Sequence, residues 1–221
     1  MIRAPRDAPN TDGIDLGACT DVVVRGNRIV NGDDNVAVGS GSTAIRIFDN
    51  TFENGHGTSI GSLGFNFSRS VVSNVTVSNN IYNRTSNVAR IKTWQGGTGN
   101  VSAITYENLT LIDVENAILI DQYYCPGSQK HPDGQTHCKN YSQGVHISSV
   151  EFRNITGTHS DALAGKLACS DTVPCTDVVM DDVRLRRTGG HSWPSPDRWL
   201  CWQAHGSTTD VVPAACAMSE G

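Results

Sequence analysis

The sequence predicts an all-β chain folded as a β-solenoid, and three observations support this prediction. Runs of β-branched residues recur at strand length, and none of them has helical periodicity. Asn or Asp recurs at a matching place in these runs, with intervals of 23, 29, 29, 46 and 28 residues from Asn27 to Asp182. Only 6% of the residues are aromatic and 22 are Gly, which suits turns and short strands. A sandwich or barrel is the alternative.

Six runs are predicted as strands, and in chain order they begin at Val22, Ala44, Val71, Val101, Gly144 and Asp177. The interval of 46 residues indicates two coils with an inserted loop. Stacked coils place residues that are one period apart side by side, at about 4.8 Å. The recurring Asn residues are interpreted as structural, because Asn tolerates the left-handed conformation and its amide can pair with the next coil.

We expect a single β-helix domain over residues 1–221, with coils over 1–187 and a cap over 188–221. The repeat stops near Thr188, and three of the four Trp residues follow, at Trp193, Trp199 and Trp202. The last coil of a solenoid needs a cover, so these residues are interpreted as an apolar cap. A carbohydrate-stacking surface is the alternative.

Composition and charge exclude several classes of function. The net charge of −5, without a block of Lys or Arg, argues against nucleic-acid binding. No apolar run approaches the roughly 20 residues that span a bilayer, so no membrane partner is expected. The first ten residues lack the apolar stretch of a signal peptide, but seven N-x-S/T sequons and the cysteine pattern indicate an extracellular protein. We expect a monomer.

The cysteines predict three local disulfides, Cys125–Cys138, Cys169–Cys175 and Cys201–Cys216, each of which brackets a turn or the tail. Cys19 remains and is expected to be a buried free thiol. No C-x-x-C motif is present, and these spacings do not suit zinc. Neither a metal nor a cofactor is expected.

Polar clusters interrupt the repeat at steps of about one coil. They contain Asp12, Asp33 with Asp34, His56, Arg90 with Lys92, and Tyr124, at steps of 21, 23, 34 and 34 residues. On a solenoid these clusters would stack into one column. Arg90 and Lys92 are at i and i+2 and would point to the same side of a strand. Gly32 permits a kink that would turn both neighbouring carboxylates into one cleft.

Three carboxylates within two coils repel one another, which favours a proton on at least one of them. A glycosidase needs this division into acid and base. The motifs NTD, G-DD, GHG and RIK, in this order and at these separations, resemble the four signature motifs of the polygalacturonases of glycoside hydrolase family 28. The resemblance extends from about Ile2 to Cys216. It implies a right-handed parallel β-helix and the inverting hydrolysis of α-1,4 bonds between galacturonate residues of pectin.

The resemblance assigns roles to five residues around the reacting bond. Asp33 would be the general acid that protonates the glycosidic oxygen, while Asp12 and Asp34 would hold and deprotonate the attacking water. Asn10 would orient these carboxylates, and His56 would sit beside the acid and help to maintain its protonation.

The resemblance also assigns a substrate-binding group. Arg90 and Lys92 would bind the sugar carboxylate on the leaving side, and Tyr124 would pack against a sugar ring. Galacturonate is an anion, so a site with three carboxylates requires cations to receive it.

Two departures qualify this assignment. The family has a Cys after the paired Asp and another before the GHG motif, where this chain has Asn35 and Phe52. The family also has a signal peptide and further coils before the NTD motif, so we expect an N-terminally truncated β-helix. The alternatives are a rhamnogalacturonan hydrolase, and an inactive truncated or noncatalytic pectin-binding β-helix.

Overall fold

The structure is a computed structural model that describes residues 1–126, 139–188, 197–216 and 218. Over this part the chain forms 18 strands and one 3₁₀ turn at Phe65–Phe67. The strands are β1 (Ile2–Arg3), β2 (Ile14–Leu16), β3 (Thr20–Arg25), β4 (Arg28–Asn31), β5 (Val36–Val38), β6 (Ser42–Phe48), β7 (Thr51–Asn54), β8 (Thr58–Leu63), β9 (Arg69–Ser78), β10 (Ile81–Asn83), β11 (Asn87–Thr93), β12 (Thr98–Val114), β13 (Asn116–Asp121), β14 (His146–His159), β15 (Leu163–Ala168), β16 (Cys175–Arg187), β17 (Arg198–Trp202) and β18 (Ala204–Val212).

These strands form two parallel sheets around one core. The larger sheet has 11 strands in the order β1-β4-β7-β10-β12-β14-β16-β18, with β3, β6 and β9 joined to it through β12. The smaller sheet has seven strands in the order β2-β5-β8-β11-β13-β15-β17. The chain passes from one sheet to the other in each coil, and crossovers between parallel strands are right-handed. The fold is therefore a right-handed parallel β-helix, which confirms the predicted fold class.

The six predicted runs all belong to the larger sheet. The run from Val22, for example, forms β3 and β4 with a turn at Gly26, and the run from Val101 forms the single long strand β12. The sequence predicted only one strand of the smaller sheet, the strand that contains Arg90 (β11). Its other strands are three to six residues long and include Gly, Ser and Asn, so the β-branched pattern is weak there.

Stacked aromatic rings fill the core between the sheets. Phe52, Tyr82, Tyr106 and Phe152 are fully buried. The Phe52 and Tyr82 ring centroids are 5.1 Å apart, and those of Tyr106 and Phe152 are 5.7 Å apart. Parallel pairing places residues of successive coils one above the other, so the two rings of each pair lie in neighbouring coils and pack together.

The recurring Asn residues are structural in two distinct ways. The Asn27 backbone N–H donates to Oδ1 of Asn50 at 2.9 Å, and the Asn50 N–H donates to Oδ1 of Asn80 at 2.9 Å. Asn79 and Asn108 do not join this ladder; each occupies the left-handed region, with φ of 53°. The predicted column of Asn residues is therefore two columns, one residue out of register.

The carboxyl-terminal segment continues both sheets. β17 pairs with β15, and β18 pairs with β16, so one more coil lies inside the segment 188–221 that the sequence predicts as a cap. Trp199 is 6% exposed, which agrees with the predicted role in covering the core. Its ring packs directly on Gly165, where a Cβ would lie only 2.4 Å from the ring. Trp202 does not agree with this role, because it is 52% exposed. Trp193 lies outside the described residues.

Two predicted disulfides are confirmed. Cys169 and Cys175 are bonded with a Cα–Cα distance of 5.6 Å, and Cys201 and Cys216 are bonded at 5.9 Å. Cys138 lies outside the described residues, so its pairing stays a prediction. Cys19 is a free thiol, as predicted, but it is partly exposed rather than buried, and its Sγ lies 3.2 Å from the Gly17 carbonyl oxygen.

Within the described ranges, the chain has no helix of the length and apolar character needed to cross a membrane.

Candidate active site

All eight predicted site residues meet at one cleft over the amino-terminal half of the smaller sheet. The cleft has a volume of about 360 Å³, and six of the eight line it: Asn10, Asp12, Asp33, Asp34, Lys92 and Tyr124. His56 and Arg90 reach the cleft through contacts with Asp33 and Asp34. The structure therefore brings together residues that are up to 114 positions apart in the sequence, from Asn10 to Tyr124.

The sheet register explains why they meet. Ile14 pairs with Val36, and Val36 pairs with Thr58, at the starts of β2, β5 and β8. Asp12, Asp34 and His56 each lie two residues before one of these strand starts. They therefore occupy the same place in three successive coils, so their side chains converge at one edge of the sheet.

The turn between β4 and β5 presents both neighbouring carboxylates. The Asn31 amide donates from Nδ2 to the carbonyl oxygens of Thr11 at 2.6 Å and of Asp34 at 2.8 Å, which fixes the turn. Because Asp33 lies in this turn rather than in a strand, the strict alternation of side chains does not apply. Gly32 contributes space, because a Cβ there would lie 2.3 Å from the Arg6 carbonyl oxygen.

Hydrogen bonds of side-chain amides connect this turn to the loop that contains His56. The resemblance implies a disulfide at this place in the family. Asn35 is fully buried; its Nδ2 donates to Oδ1 of Asn31 at 2.5 Å, and its Oδ1 accepts the Gly57 N–H at 2.9 Å. Phe52, at the position of the other family cysteine, is fully buried in the core. The turn that contains Asp33 and the loop that contains His56 are thus joined by hydrogen bonds.

The glycines beside His56 serve the protein's own packing rather than a close approach to a ligand. A Cβ on Gly55 would lie 2.5 Å from the Asp33 carbonyl oxygen, and a Cβ on Gly57 would lie 2.3 Å from the Asn87 carbonyl oxygen. Both residues also have positive φ, of 64° and 77°. Gly is therefore required on each side for steric and conformational reasons.

Asp34 is the centre of a buried charge cluster. Its side chain is 2% exposed, and Oδ2 lies 2.5 Å from Nζ of Lys92, whose side chain is 8% exposed. Oδ1 accepts the Ser59 hydroxyl at 2.6 Å and lies 3.4 Å from Nη1 of Arg90. Two cationic side chains thus lie beside the buried Asp34 carboxyl group. The sequence did not predict the contact of Lys92 with Asp34.

Tyr124 covers the two cations from the next coil. The Arg90 Cζ lies 5.6 Å from the Tyr124 ring centroid, and the Lys92 Nζ lies 5.5 Å from it. The Trp94 ring packs edge-on against Tyr124 at 5.6 Å. Burial raises the pKa of the Tyr124 hydroxyl, although Arg90 acts in the opposite direction. Tyr124 is thus a neutral ring fixed beside the cationic pair.

The hydrogen bonds of Asp33 leave one oxygen open. Oδ1 accepts the Asp34 backbone N–H at 2.8 Å and lies 2.9 Å from Nδ1 of His56. Oδ2 has no hydrogen-bond partner within the described part of the chain, and Asp33 lines the cleft with its side chain 24% exposed. Oδ2 is therefore the oxygen of Asp33 that is available to contact a ligand in the cleft.

Asp12 is the carboxyl group that holds a proton most strongly. Burial, followed by the charges of Asp33, Asp34 and Asp15, raises its pKa from 3.8 to about 7. This agrees with the expectation that crowded carboxylates leave one of them protonated. Asp12 is consequently able to exchange a proton near neutral pH, as a group that accepts a proton from water must.

The raised pKa of Asp12 predicts how stability depends on pH. Between about pH 4 and pH 7 the folded state holds a proton on Asp12 that the unfolded state has lost, so this residue makes the free energy of unfolding fall as pH rises. We expect Asp12→Asn to remove that part of the fall and to raise the melting temperature at pH 8 but not at pH 4. Asp21→Asn, at an exposed position with φ of 57° that Asn tolerates, is the control for loss of a charge. An equal effect at both pH values would contradict the prediction.

Three ligand atoms at the site lie close enough to surround a cation. The candidate ligand atoms of Asp33, Asp34 and His56 are all within 4.8 Å of one another. Asp34 is already paired with Lys92, and Nδ1 of His56 already contacts Asp33, so a cation here would have to replace existing contacts. The absence of a metal from the mechanism stays a prediction.

Sequence reasoning missed two members of the site. Ser59 donates to Asp34, and Asp15 contributes to the raised pKa of Asp12. Ser59 pairs with Arg90 in the neighbouring strand, and Asp15 pairs with Ala37, which pairs with Ser59. Ser59 and Asp15 could have been identified from the register of the smaller sheet, because they occupy the positions that pair, strand by strand, with Arg90.

Comparisons with known proteins show what this chain is similar to. The sequence profile described as glycosyl hydrolases family 28 matches residues 1–209. A polygalacturonase of Juniperus ashei is 48% identical over 189 residues, which is 86% of this chain and 36% of the relative. A polygalacturonase of Cryptomeria japonica is 47% identical, over 86% of this chain and 35% of the relative. The chain thus spans about a third of the length of these relatives.

Two solved structures share the fold. The polygalacturonase from Erwinia carotovora ssp. carotovora superposes with a TM-score of 0.72 and 28% identity, over 93% of this chain and 49% of that chain. The endo-xylogalacturonan hydrolase from Aspergillus tubingensis superposes with a TM-score of 0.75, over 96% of this chain and 55% of that chain, but at 23% identity it supports the fold alone. With its profile match over nearly the whole sequence, this chain belongs to the glycosyl hydrolases family 28.

Proposed function

We propose that this chain carries the catalytic centre of a polygalacturonase, which hydrolyses α-1,4 bonds between galacturonate residues with inversion. The observation that carries the proposal is the arrangement of three carboxyl groups with different environments in one cleft: Asp33 with an open oxygen, Asp34 paired with cations, and Asp12 with a raised pKa. An inverting glycosidase needs an acid on one side of the bond and a base that activates water on the other.

Asp33 acts as the acid in this proposal. Its Oδ2 gives a proton to the glycosidic oxygen as the bond from that oxygen to the anomeric carbon breaks, so the leaving sugar departs as a neutral hydroxyl. The Asp34 N–H and His56 hold the other oxygen of Asp33, so the carboxyl group keeps its orientation. His56 is a positioning residue, and it is also placed to return a proton to Asp33 after the reaction.

Asp12 and Asp34 act on the attacking water. Asp34 lies beside Lys92 and Arg90, and its carboxylate would accept a hydrogen bond from water and orient it. Asp12, with a pKa of about 7, takes the proton as the water oxygen bonds to the anomeric carbon on the face opposite to the leaving sugar. The electron pair of the broken bond stays on the leaving oxygen, so charge and protons balance.

The leaving sugar meets Arg90, Lys92 and Tyr124. A galacturonate carboxylate beside the two cations would share them with Asp34, and the Tyr124 ring would pack against the sugar. The names of the Juniperus and Cryptomeria relatives support this substrate class. The two confirmed disulfides support an extracellular location, and we propose that the chain acts there as a monomer.

The release of reducing ends from two polysaccharides tests the proposal. We expect the chain to release them from polygalacturonate and much more slowly from rhamnogalacturonan, because Lys92 and Arg90 would bind a carboxylate that the rhamnose units lack. Preferential cleavage of rhamnogalacturonan would favour the alternative hydrolase. Binding of polygalacturonate without any release of reducing ends would favour a noncatalytic pectin-binding β-helix.

A further inference from the structure

The outward face of the smaller sheet continues beyond the active site for three more strands. The register places Leu119, Lys166 and Leu200 in succession after Arg90, and Asp121, Ala168 and Trp202 in succession after Lys92. We call Leu119, Lys166, Leu200 and Trp202 the leaving-side face. It begins where the proposed leaving sugar lies and extends away from the catalytic carboxylates, so a longer polysaccharide chain would pass over it.

Lys166 is a cation without a partner on this face. Its neighbours Ala164 and Leu167 are fully buried, while Lys166 itself is partly exposed. No hydrogen bond or ion pair joins it to any residue in the described part of the chain. It lies two strands from Arg90, which is about 9 to 10 Å along the sheet. An ammonium group without an ion-pair partner among the described residues, in line with a cationic site, is suited to an anionic ligand.

Trp202 is exposed and yet held in one orientation. Its side chain is 52% exposed, while Nε1 donates to Oδ1 of Asp171 at 2.8 Å. The Tyr123 hydroxyl donates to the other oxygen of Asp171 at 3.0 Å, so the Asp171 charge is satisfied by two donors. Leu200, on the same strand, is 41% exposed. A fixed aromatic ring next to an apolar side chain offers a flat surface to a sugar ring at little cost in conformational entropy.

The one acidic residue in these two columns does not oppose an anionic ligand strongly. Oδ1 of Asp121 accepts the Tyr123 backbone N–H at 3.0 Å, and Asp121 pairs in register with Lys92 on the neighbouring strand.

Capping of the solenoid does not explain the exposed ring of Trp202. Trp199 fills the core at this coil, and Trp202 points to the opposite side of β17.

We propose that the leaving-side face binds the continuation of the polygalacturonate chain beyond the sugar held by Arg90 and Tyr124. Lys166 would contact a carboxylate of that continuation, and Trp202 would stack on one of its sugar rings. The inference rests on the proposed function, because that function places the leaving sugar at the Arg90 end of the cleft. It predicts that the chain distinguishes long galacturonate oligomers from short ones through these two side chains.

Calorimetric titration of the 221-residue chain with trigalacturonate and octagalacturonate tests this inference. An Asp33→Asn background keeps both ligands intact during the measurement. We expect Lys166→Gln to weaken octamer binding about tenfold, as loss of a charge-assisted contact does, and Trp202→Ala to weaken it about two- to tenfold. Trimer binding should be unchanged in both variants. Arg46→Gln removes an exposed charge from β6 in the larger sheet and is the matched control.

The outcomes separate this inference from the proposed function. Unchanged octamer binding in both variants, or an equal loss for trimer and octamer, would overturn the inference while leaving the proposed function in place. If the parent chain bound neither oligomer, the proposed function would fail, and the inference would fail with it. Circular dichroism of each variant confirms that the β-helix is intact before titration.

Discussion

Asp33→Asn is expected to lower the turnover of polygalacturonate by about 10²- to 10⁴-fold, since the amide cannot protonate the leaving oxygen. The substitution is nearly isosteric, and the amide can still accept the Asp34 N–H that now reaches Oδ1. Binding of the substrate should therefore change little. Initial rates and the affinity for an oligomer, measured on the same preparation, separate the two effects.

Asp21→Asn is the matched control for this loss, because it removes one carboxylate from β3 in the larger sheet, away from the cleft. It should leave turnover unchanged. Parental turnover in Asp33→Asn would remove Asp33 from the role of acid, and a loss of affinity equal to the loss of turnover would assign it to substrate binding instead.

Lys92→Met is expected to lower the free energy of unfolding by about 3 to 5 kcal/mol, because it leaves the buried Asp34 carboxylate without its nearest cation. Arg90, at 3.4 Å, compensates only part of the charge. Urea denaturation at pH 7 measures this effect. The loss should be smaller at low pH, where Asp34 in the variant can take up a proton.

The double variant Asp34→Asn with Lys92→Met separates the lost ion pair from lost packing. We expect it to recover part of the stability lost in Lys92→Met, because the buried carboxylate is gone and only Arg90, whose side chain is 13% exposed, loses its carboxylate partner. Arg153→Met breaks an exposed ion pair with Glu151 and should change stability little. A double variant as unstable as the sum of the two single variants would show that the pair does not act as a unit.

The sequence was sufficient to bring eight residues of the candidate site together, though not Ser59 and Asp15, because the distances between the motifs equal about one coil. Asp12, Asp34 and His56 are 22 residues apart in each step, which is the period of these coils. Once a solenoid is recognised, this period alone places them side by side. The right-handed β-helix followed from the resemblance in the motifs, and the parallel register of both sheets confirms it.

The direction of each side chain could not be predicted from spacing. Lys92 was predicted to bind the sugar carboxylate, and that stays a prediction; the structure adds a contact that spacing did not indicate, because Lys92 Nζ lies 2.5 Å from the Asp34 carboxylate, 58 positions away in the sequence. The choice depends on burial: Asp34 is 2% exposed in its side chain, and a carboxylate removed from water in this way needs a cation within reach. Burial of a turn residue is a tertiary property that local sequence does not encode.

The end of the coils was also misplaced for a physical reason. β17 contains two Trp, an Arg and a Cys, which do not resemble the Val- and Ile-rich runs of the larger sheet. Its pairing with β15 is possible because Gly165 leaves space for the Trp199 ring. Such complementarity between a large residue and a Gly one coil away is visible only when the register is known.

The configuration of the first products tests the central claim, which is that Asp33 protonates the leaving oxygen while water attacks from the opposite face. Proton NMR of polygalacturonate during the first minutes of digestion distinguishes new α and β reducing ends before they equilibrate. We expect the β signal to rise first and the α signal to follow by mutarotation. An α signal that appears first would mean retention, and it would require one of the carboxylates to be a nucleophile instead of a base.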